Sequence, residues 1–373
     1  MTKVLFVATV VKTHIMEFHI PYLKRIKEIG WETSVAARND YENHSECAIP
    51  YCDMYYDVPF ERNPFNPKNL RAFKMLKKVI NEGHYDIIHC HTPVGAMMTR
   101  LASGKARKKG SKVIYTAHGF HFYKGAPLLN WILYYPVERL LARKTDVLIT
   151  ITHEDYSRAR SFKMKRLEYV PGVGIDFAKY RKLIDNSKEA LKEELGIPSG
   201  AKVLLSVGEL NKNKNHRMVI KALPSLANTY YVICGQGPLY QKHRELAKDI
   251  GVDDRVKLVG YRKDVCKFYN MADVFVFPSF REGLPVSLME AMSTGLVCVS
   301  SYNRGSDDLL RDSRLRFAPS DLQEIIDKIK IALTTDCSDE VRQNREVLNQ
   351  YALDVVLNQV EQIYLEETKH EVE

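Results

Sequence analysis

VFVFPSFREGLPVSLMEAMSTGLVCVSS, residues 274–301, contains a strand, a loop, a helix and a second strand in one run. The apolar, β-branched and aromatic stretch ending at Phe277 reads as a buried strand. Pro278 and the polar residues behind it read as a short loop, the residues from about Pro285 as a helix, and the apolar run 297–300 as the next strand. Strands joined through a helix lie side by side in a parallel sheet.

The same alternation extends in both directions. In the first half, strands are expected at 3–9, 33–37, 86–90, 112–116 and 146–151, with amphipathic helices at 17–29, 69–82 and 128–143 between them. The stretch EYVPGVGID, 168–176, breaks the pattern with one proline and two glycines and reads as a loop after a last short strand. Strands resume at 202–207, 230–234, 256–259, 273–277 and 297–300, and no short-period repeat is present. The apolar positions Val355, Val356, Val360, Ile363 and Tyr364 predict a closing helix. The reading is α/β, with two Rossmann-like domains at 1–175 and 176–350 and a closing helix at 351–373. Ligands of such sheets bind beyond the carboxyl ends of the strands, so the expected site is a deep cleft between two facing domains.

The length of 373 residues suits two such domains, and 45% apolar with 27% charged residues excludes extended disorder. No apolar stretch approaches the length of a membrane span, and the start of the chain lacks a signal-peptide layout, which leads to a cytoplasmic expectation. The seven cysteines are scattered without metal-ligand spacing and read as reduced thiols. Of the net charge of +9, residues 1–176 hold 27 Lys/Arg against 17 Asp/Glu, while the rest is near neutral. A basic half suits an anionic partner: a phosphate-bearing substrate, a membrane surface or nucleic acid. Nucleic acid ranks last, since no recognition motif is present.

Glu282 lies on the loop after the strand ending at Phe277, and Glu290 lies eight positions on, inside the helix. The amides of Gly283, Leu284, Val286 and Ser287 surround the start of that helix, where unpaired N–H groups and the helix dipole favour anions. With the proline, the MEAM helix and the following strand, the pattern resembles the E-x7-E element of retaining glycosyltransferases of family 4, which have the two-lobed GT-B fold. The resemblance implies that Glu282 contacts hydroxyls of the donor sugar and that Glu290 hydrogen-bonds the nucleotide ribose. Carboxylates suit both tasks, since each accepts two hydroxyl donors.

SVGELNKNKNH, 206–216, resembles a second family element, a G-R pair followed by a lysine, whose cations stabilise the leaving diphosphate. Gly208 falls on the glycine, Lys214 on the lysine and Glu209 on the arginine position, so one phosphate contact departs from the pattern. Either Glu209 points away or it serves another role, and Lys212, Arg262, Arg281 or Arg304 supplies the charge. KLVGYRKDV, 257–265, is similar to the loop that meets the nucleotide base, with Tyr261 and Arg262 beside it. In YTAHGFHFYKGAP, 115–127, His118 matches the family histidine that contacts the donor sugar, and His121 and Tyr123 are acceptor-side candidates. Lys12, Thr13 and His14 follow the first strand on the acceptor side, where family members often have a glycine pair. HCHTP, 89–93, has two histidines at H-x-H spacing and no clear third ligand, and the fold family needs no cation, so the expectation is no metal and no resident cofactor. The segment PLLNWILYYPVERLLARK, 127–144, reads either as a core helix or as a helix lying on a membrane surface.

As a whole the chain is similar to bacterial family 4 enzymes of capsule, exopolysaccharide and lipid-linked oligosaccharide assembly. The implied function is a metal-independent hexosyltransferase that moves a hexose or N-acetylhexosamine from a UDP-sugar, a co-substrate, to a polyprenyl-diphosphate-linked sugar with retained configuration. Its expected partners are the nucleotide sugar, the lipid-linked acceptor and the inner face of the membrane, with no nucleic acid. Two alternatives stand beside it: a non-hydrolysing UDP-sugar epimerase, and a catalytically silent GT-B subunit that activates a partner.

Overall fold

The computed structural model describes residues 1–183, 187–310 and 312–369. The chain divides into two compact units, one of residues 1–174 with 354–373 and the other of residues 175–353. The first unit holds seven strands: β1 (Lys3–Val10), β2 (Glu32–Arg38), β3 (Met54–Asp57), β4 (Ile87–Cys90), β5 (Lys112–Ala117), β6 (Val147–Thr150) and β7 (Arg166–Tyr169). All pair in parallel, in the order β3-β2-β1-β4-β5-β6-β7. In β1 every residue from Val4 to Val10 is buried, as a central strand covered on both faces by helices requires. The helix Lys68–Gly83 shows the matching pattern, turning Ala72, Leu76, Val79 and Ile80 into the core.

The second unit repeats the plan with β8 (Lys202–Val207), β9 (Thr229–Cys234), β10 (Val256–Gly260), β11 (Val274–Phe277), β12 (Val297–Ser301) and β13 (Arg316–Phe317). They pair in parallel in the order β10-β9-β8-β11-β12-β13. In each sheet the strand order reverses once, between β1 and β4 and between β8 and β11. Loops leaving adjacent strands at such a point go to opposite faces and open a crevice, which is where ligands of these sheets sit.

The expected elements have their counterparts, with three differences. The edge strands β3 and β13 were not anticipated. Residues 17–29 form no single helix: a π-helical turn, Val11–Ile15, and a short helix, Met16–Phe18, precede the helix Ile20–Glu28, with His19 at the break. The closing helix, Leu353–Lys369, belongs from Asp354 onward with the first unit, where Val356, Val360, Ile363 and Tyr364 are buried while Val355 faces outward. The last four residues of the expected closing segment, 370–373, lie outside the described residues.

The helix Leu128–Ala142 packs one side on the core and leaves the other exposed. Trp131, Tyr134 and Tyr135 pack on the core, and Glu138 takes a bidentate pair from the buried Arg100 at 2.8 and 3.1 Å. Leu128, Leu129, Ile132, Leu133, Val137 and Leu140 point outward, with Leu128 75% exposed and Ile132 61%. A continuous apolar face of this kind is unusual on a soluble surface.

Candidate active site

In the second unit the loops after β8 and β11, the two strands flanking the order reversal, hold the donor-side candidates together. Lys214 Nζ lies 2.8 Å from Glu282 Oε1 and stands 5.3 Å from the ring of Phe277, the last residue of β11. Gly208 makes room for this lysine: with φ of +156°, a Cβ there would sit 3.1 Å from Lys214 Cε. Asn213 donates from Nδ2 to the Arg281 carbonyl at 2.8 Å and to Glu282 Oε1 at 3.3 Å. Arg304 donates from Nε to the Glu282 carbonyl at 2.9 Å. Gly305 lets the helix Arg304–Leu310 meet the Glu282 loop, since a Cβ at Gly305 would lie 1.7 Å from the Gly283 carbonyl oxygen. The Glu282 loop is thereby clamped from both sides, with the Lys214 ammonium of the β8 loop against its carboxylate.

Glu290 is buried in the helix Val286–Ser293 and accepts a hydrogen bond from the Tyr269 hydroxyl at 2.7 Å. Burial, and then the Glu290 charge, raise the Tyr269 phenol well above its ordinary range, so it remains a donor. Gly283 and Leu284 precede this helix and Val286 opens it, so their backbone amides are grouped at its start. Glu209 is exposed and its Oε2 accepts from Asn211 Nδ2 at 2.9 Å, while Asn211 Oδ1 accepts from the Lys214 amide at 3.0 Å. The residue at the expected arginine position thus braces the turn that presents Lys214. Arg262 is tied to Asp264 by two bonds of 2.9 Å and lies over Phe268, and Tyr261 is exposed after β10. Beneath the β8 loop the buried His216 meets Tyr231, whose hydroxyl reaches Ser206 at 2.8 Å, and burial holds His216 down at about 3.

In the first unit the equivalent strand ends carry histidines. His14 lies on the turn after β1, His91 directly follows β4, and His118 directly follows β5. With His19 they form one cluster. His14 Nε2 lies 3.2 Å from His19 Nε2, and His91 Nδ1 lies 3.2 Å from His118 Nε2. Burial, joined by the nearby Arg62 charge, lowers His14 to about 4; burial, joined by His14, lowers His118 to about 3. Both rings are neutral at pH 7. Thr92, next to His91, has φ of +62° and ψ of +146°, a costly conformation for a β-branched residue, held by Thr9 hydrogen bonds to its Oγ1 at 2.7 and 3.1 Å.

Of the other first-unit candidates, Lys12 and Thr13 are held by Asp40, which accepts both backbone amides and the Thr13 hydroxyl. The His121 ring stacks on Tyr134, 4.5 Å between centroids, and Tyr123 is half-buried before the turn to Ala126. The sequence reading does not single out His19 or Tyr269, and it weighs His91 only as half of an H-x-H pair without a third ligand. Only the position of His91 at a strand end could have marked it.

Two all-parallel sheets with site residues at both reversal points are the plan of the GT-B transferases. Over the whole chain the fold superimposes on sucrose-phosphate synthase of Thermosynechococcus elongatus with a TM-score of 0.82 at 15% identity, covering 100% of both chains. It also matches Anabaena HepE, solved with UDP and glucose, with a TM-score of 0.79 at 17% identity, covering 97% and 99%. A family model described as Glycosyl transferases group 1 matches residues 187–353, and one described as Glycosyl transferase 4-like matches residues 3–152. EpsD of Bacillus subtilis (strain 168), assigned to the glycosyltransferases by name, is 40% identical over 324 residues, covering 84% of this chain and 82% of that protein. An Escherichia coli UDP-Gal:alpha-D-GlcNAc-diphosphoundecaprenol alpha-1,3-galactosyltransferase is 29% identical, covering 66% and 65%. The chain belongs to the group 1, family 4-like glycosyltransferases.

Proposed function

We propose that this glycosyltransferase moves a hexose or N-acetylhexosamine from a UDP-sugar to a polyprenyl-diphosphate-linked sugar, with retained anomeric configuration, in the assembly of a surface polysaccharide. The observation that carries the donor side is the Lys214–Glu282 pair at the reversal point of the second sheet. Without substrate the two neutralise each other. On donor binding the ammonium turns to the diphosphate and the carboxylate to sugar hydroxyls, so each ionic group gains a partner as it loses one.

Glu290, backed by Tyr269, accepts the ribose hydroxyls, and the backbone beside Tyr261 and Arg262 receives the base. As the sugar–phosphate bond breaks, Lys214 and the amides of Gly283, Leu284 and Val286 hold the developing diphosphate charge. No side chain here is assigned as a covalent nucleophile. The departing phosphate takes the acceptor proton in a front-side attack, which accounts for retention. Neutral His118 serves the donor sugar as a hydrogen-bond partner without adding charge. The phosphate chemistry is read as metal-independent, so added Mg2+ leaves turnover unchanged.

The acceptor reading is supported by the E. coli relative, whose name specifies a diphosphoundecaprenol-linked sugar. A lipid-borne acceptor requires access to a membrane. No described helix is long and apolar enough to cross one. The outward apolar face of Leu128–Ala142, flanked by exposed Arg139, Arg143 and Lys144, instead suits peripheral docking on an anionic inner leaflet. Lys214→Ala tests the donor reading. Its kcat is expected to fall by about 100- to 1,000-fold, the cost of one transition-state donor, with a smaller change in donor KM. A variant as active as the parent removes the proposed role.

A further inference from the structure

The histidine cluster of the first unit exceeds what sugar contact by His118 requires. Its members come from three separate strand ends, and His19 and His91 are each 2% exposed. One ring nitrogen of each of His14, His19, His91 and His118 lies within 4.8 Å of one nitrogen of every other. Metal–imidazole bonds of about 2.0–2.1 Å place the nitrogens of a tetrahedral set about 3.3 Å apart. Two of the nitrogen pairs already stand at 3.2 Å.

The surroundings also favour a cation ligand set over a closed hydrogen-bond network. The close contacts are made by His19 Nε2 and His91 Nδ1, and the other nitrogen of each of these rings, His19 Nδ1 and His91 Nε2, is buried without a hydrogen-bond partner among the described residues, so no hydrogen bond on the far side fixes either ring against turning toward an ion. His89, its ring centroid 4.1 Å from that of His91, is different: its Nδ1 meets the Tyr364 hydroxyl and its Nε2 meets Thr116, so neither nitrogen is available. An all-imidazole set without carboxylate suits zinc and its neighbours in the first transition row, and not the oxygen-seeking Mg2+ or Ca2+.

We propose that His14, His19, His91 and His118 form a binding site for a transition-metal dication of the zinc class. The ion fastens the ends of β1, β4 and β5 to one another. The site stands on the first unit alone and does not depend on the assignment of the donor residues. Where His118 also serves the donor sugar, bound metal and donor exclude each other.

The full chain without an affinity tag, stripped by a chelator and freed of it, is titrated with Co2+. The expected result is the intense visible absorption of four-coordinate Co2+, saturating near about one equivalent and displaced by Zn2+. Zinc also raises the melting temperature of the parent. His14→Ala with His118→Ala changes the two less buried ligands and is expected to weaken zinc binding by about a hundredfold or more. The exposed His44→Ala is expected to bind as the parent does. If the parent gives no such absorption and retains no zinc, or if a double variant with native circular dichroism binds as tightly as the parent, the site does not exist.

Discussion

Glu290 and Tyr269 show how single residues carry the donor reading. A buried carboxylate is tolerated only with hydrogen-bond donors, and the Tyr269 hydroxyl supplies one at 2.7 Å. Tyr269→Phe keeps the ring and removes that donor. Affinity for UDP, measured by calorimetry, is expected to fall by about tenfold, the worth of a hydrogen bond to a charged group, with a smaller effect on kcat. Unchanged affinity would separate Glu290 from the nucleotide. The acids and Lys214 were legible in the sequence because each follows an apolar strand within one short motif. Tyr269 was not, since nothing in its helix, Val265–Met271, sets it apart from the core residues Phe268 and Met271 beside it, and its partner is 21 positions away. The histidine cluster was hidden for the same reason: HCHTP offers two rings, and the others arrive from strand ends that only the sheet order brings together.

Among the elements, the helix Leu128–Ala142 had an ambiguous sequence, because aromatic and aliphatic residues occupy most of its circumference and no narrow stripe marks the inner face. The structure decides by anchoring: Arg100 holds Glu138, and the rings of Trp131, Tyr134 and Tyr135 turn inward, leaving the aliphatic residues outside. Leu129→Glu with Ile132→Glu is expected to abolish sedimentation with anionic vesicles while changing folding stability by only about 0.5 kcal/mol per site. Retained vesicle binding would remove this helix from the membrane reading. The short strands β3 and β13 escaped prediction because β3 is an edge strand without a buried run and β13 has only two residues. The β5–β6 region also holds an ionic clamp. Burial alone would raise Asp146, but Arg107 at 2.7 and 2.8 Å, Lys165 at 2.8 Å and the Val113 amide hold it at about 2. A depressed carboxylate stabilises the fold above its unfolded value near pH 4, and that stability is lost as pH falls toward 2. Asp146→Asn is expected to cost about 2 kcal/mol at pH 7 and to flatten this acid limb in denaturant titrations.

At the scale of the whole molecule, both units were readable from strand alternation, because parallel strands buried on both faces leave continuous apolar runs. Each unit carries its candidate groups at the carboxyl ends of the strands around its order reversal, and this placement makes the assignment more than a motif match. An epimerase would use the donor with no acceptor, and a silent subunit would use neither. The most direct measurement is to incubate the intact protein with labelled UDP-sugars and a bacterial membrane lipid extract and to count the lipid fraction. The account predicts label in the lipid, released by mild acid as an oligosaccharide whose new glycosidic bond has the donor's anomeric configuration, and lost in Lys214→Ala. An unlabelled lipid fraction across the UDP-sugars, or an altered donor sugar formed without lipid, would contradict it.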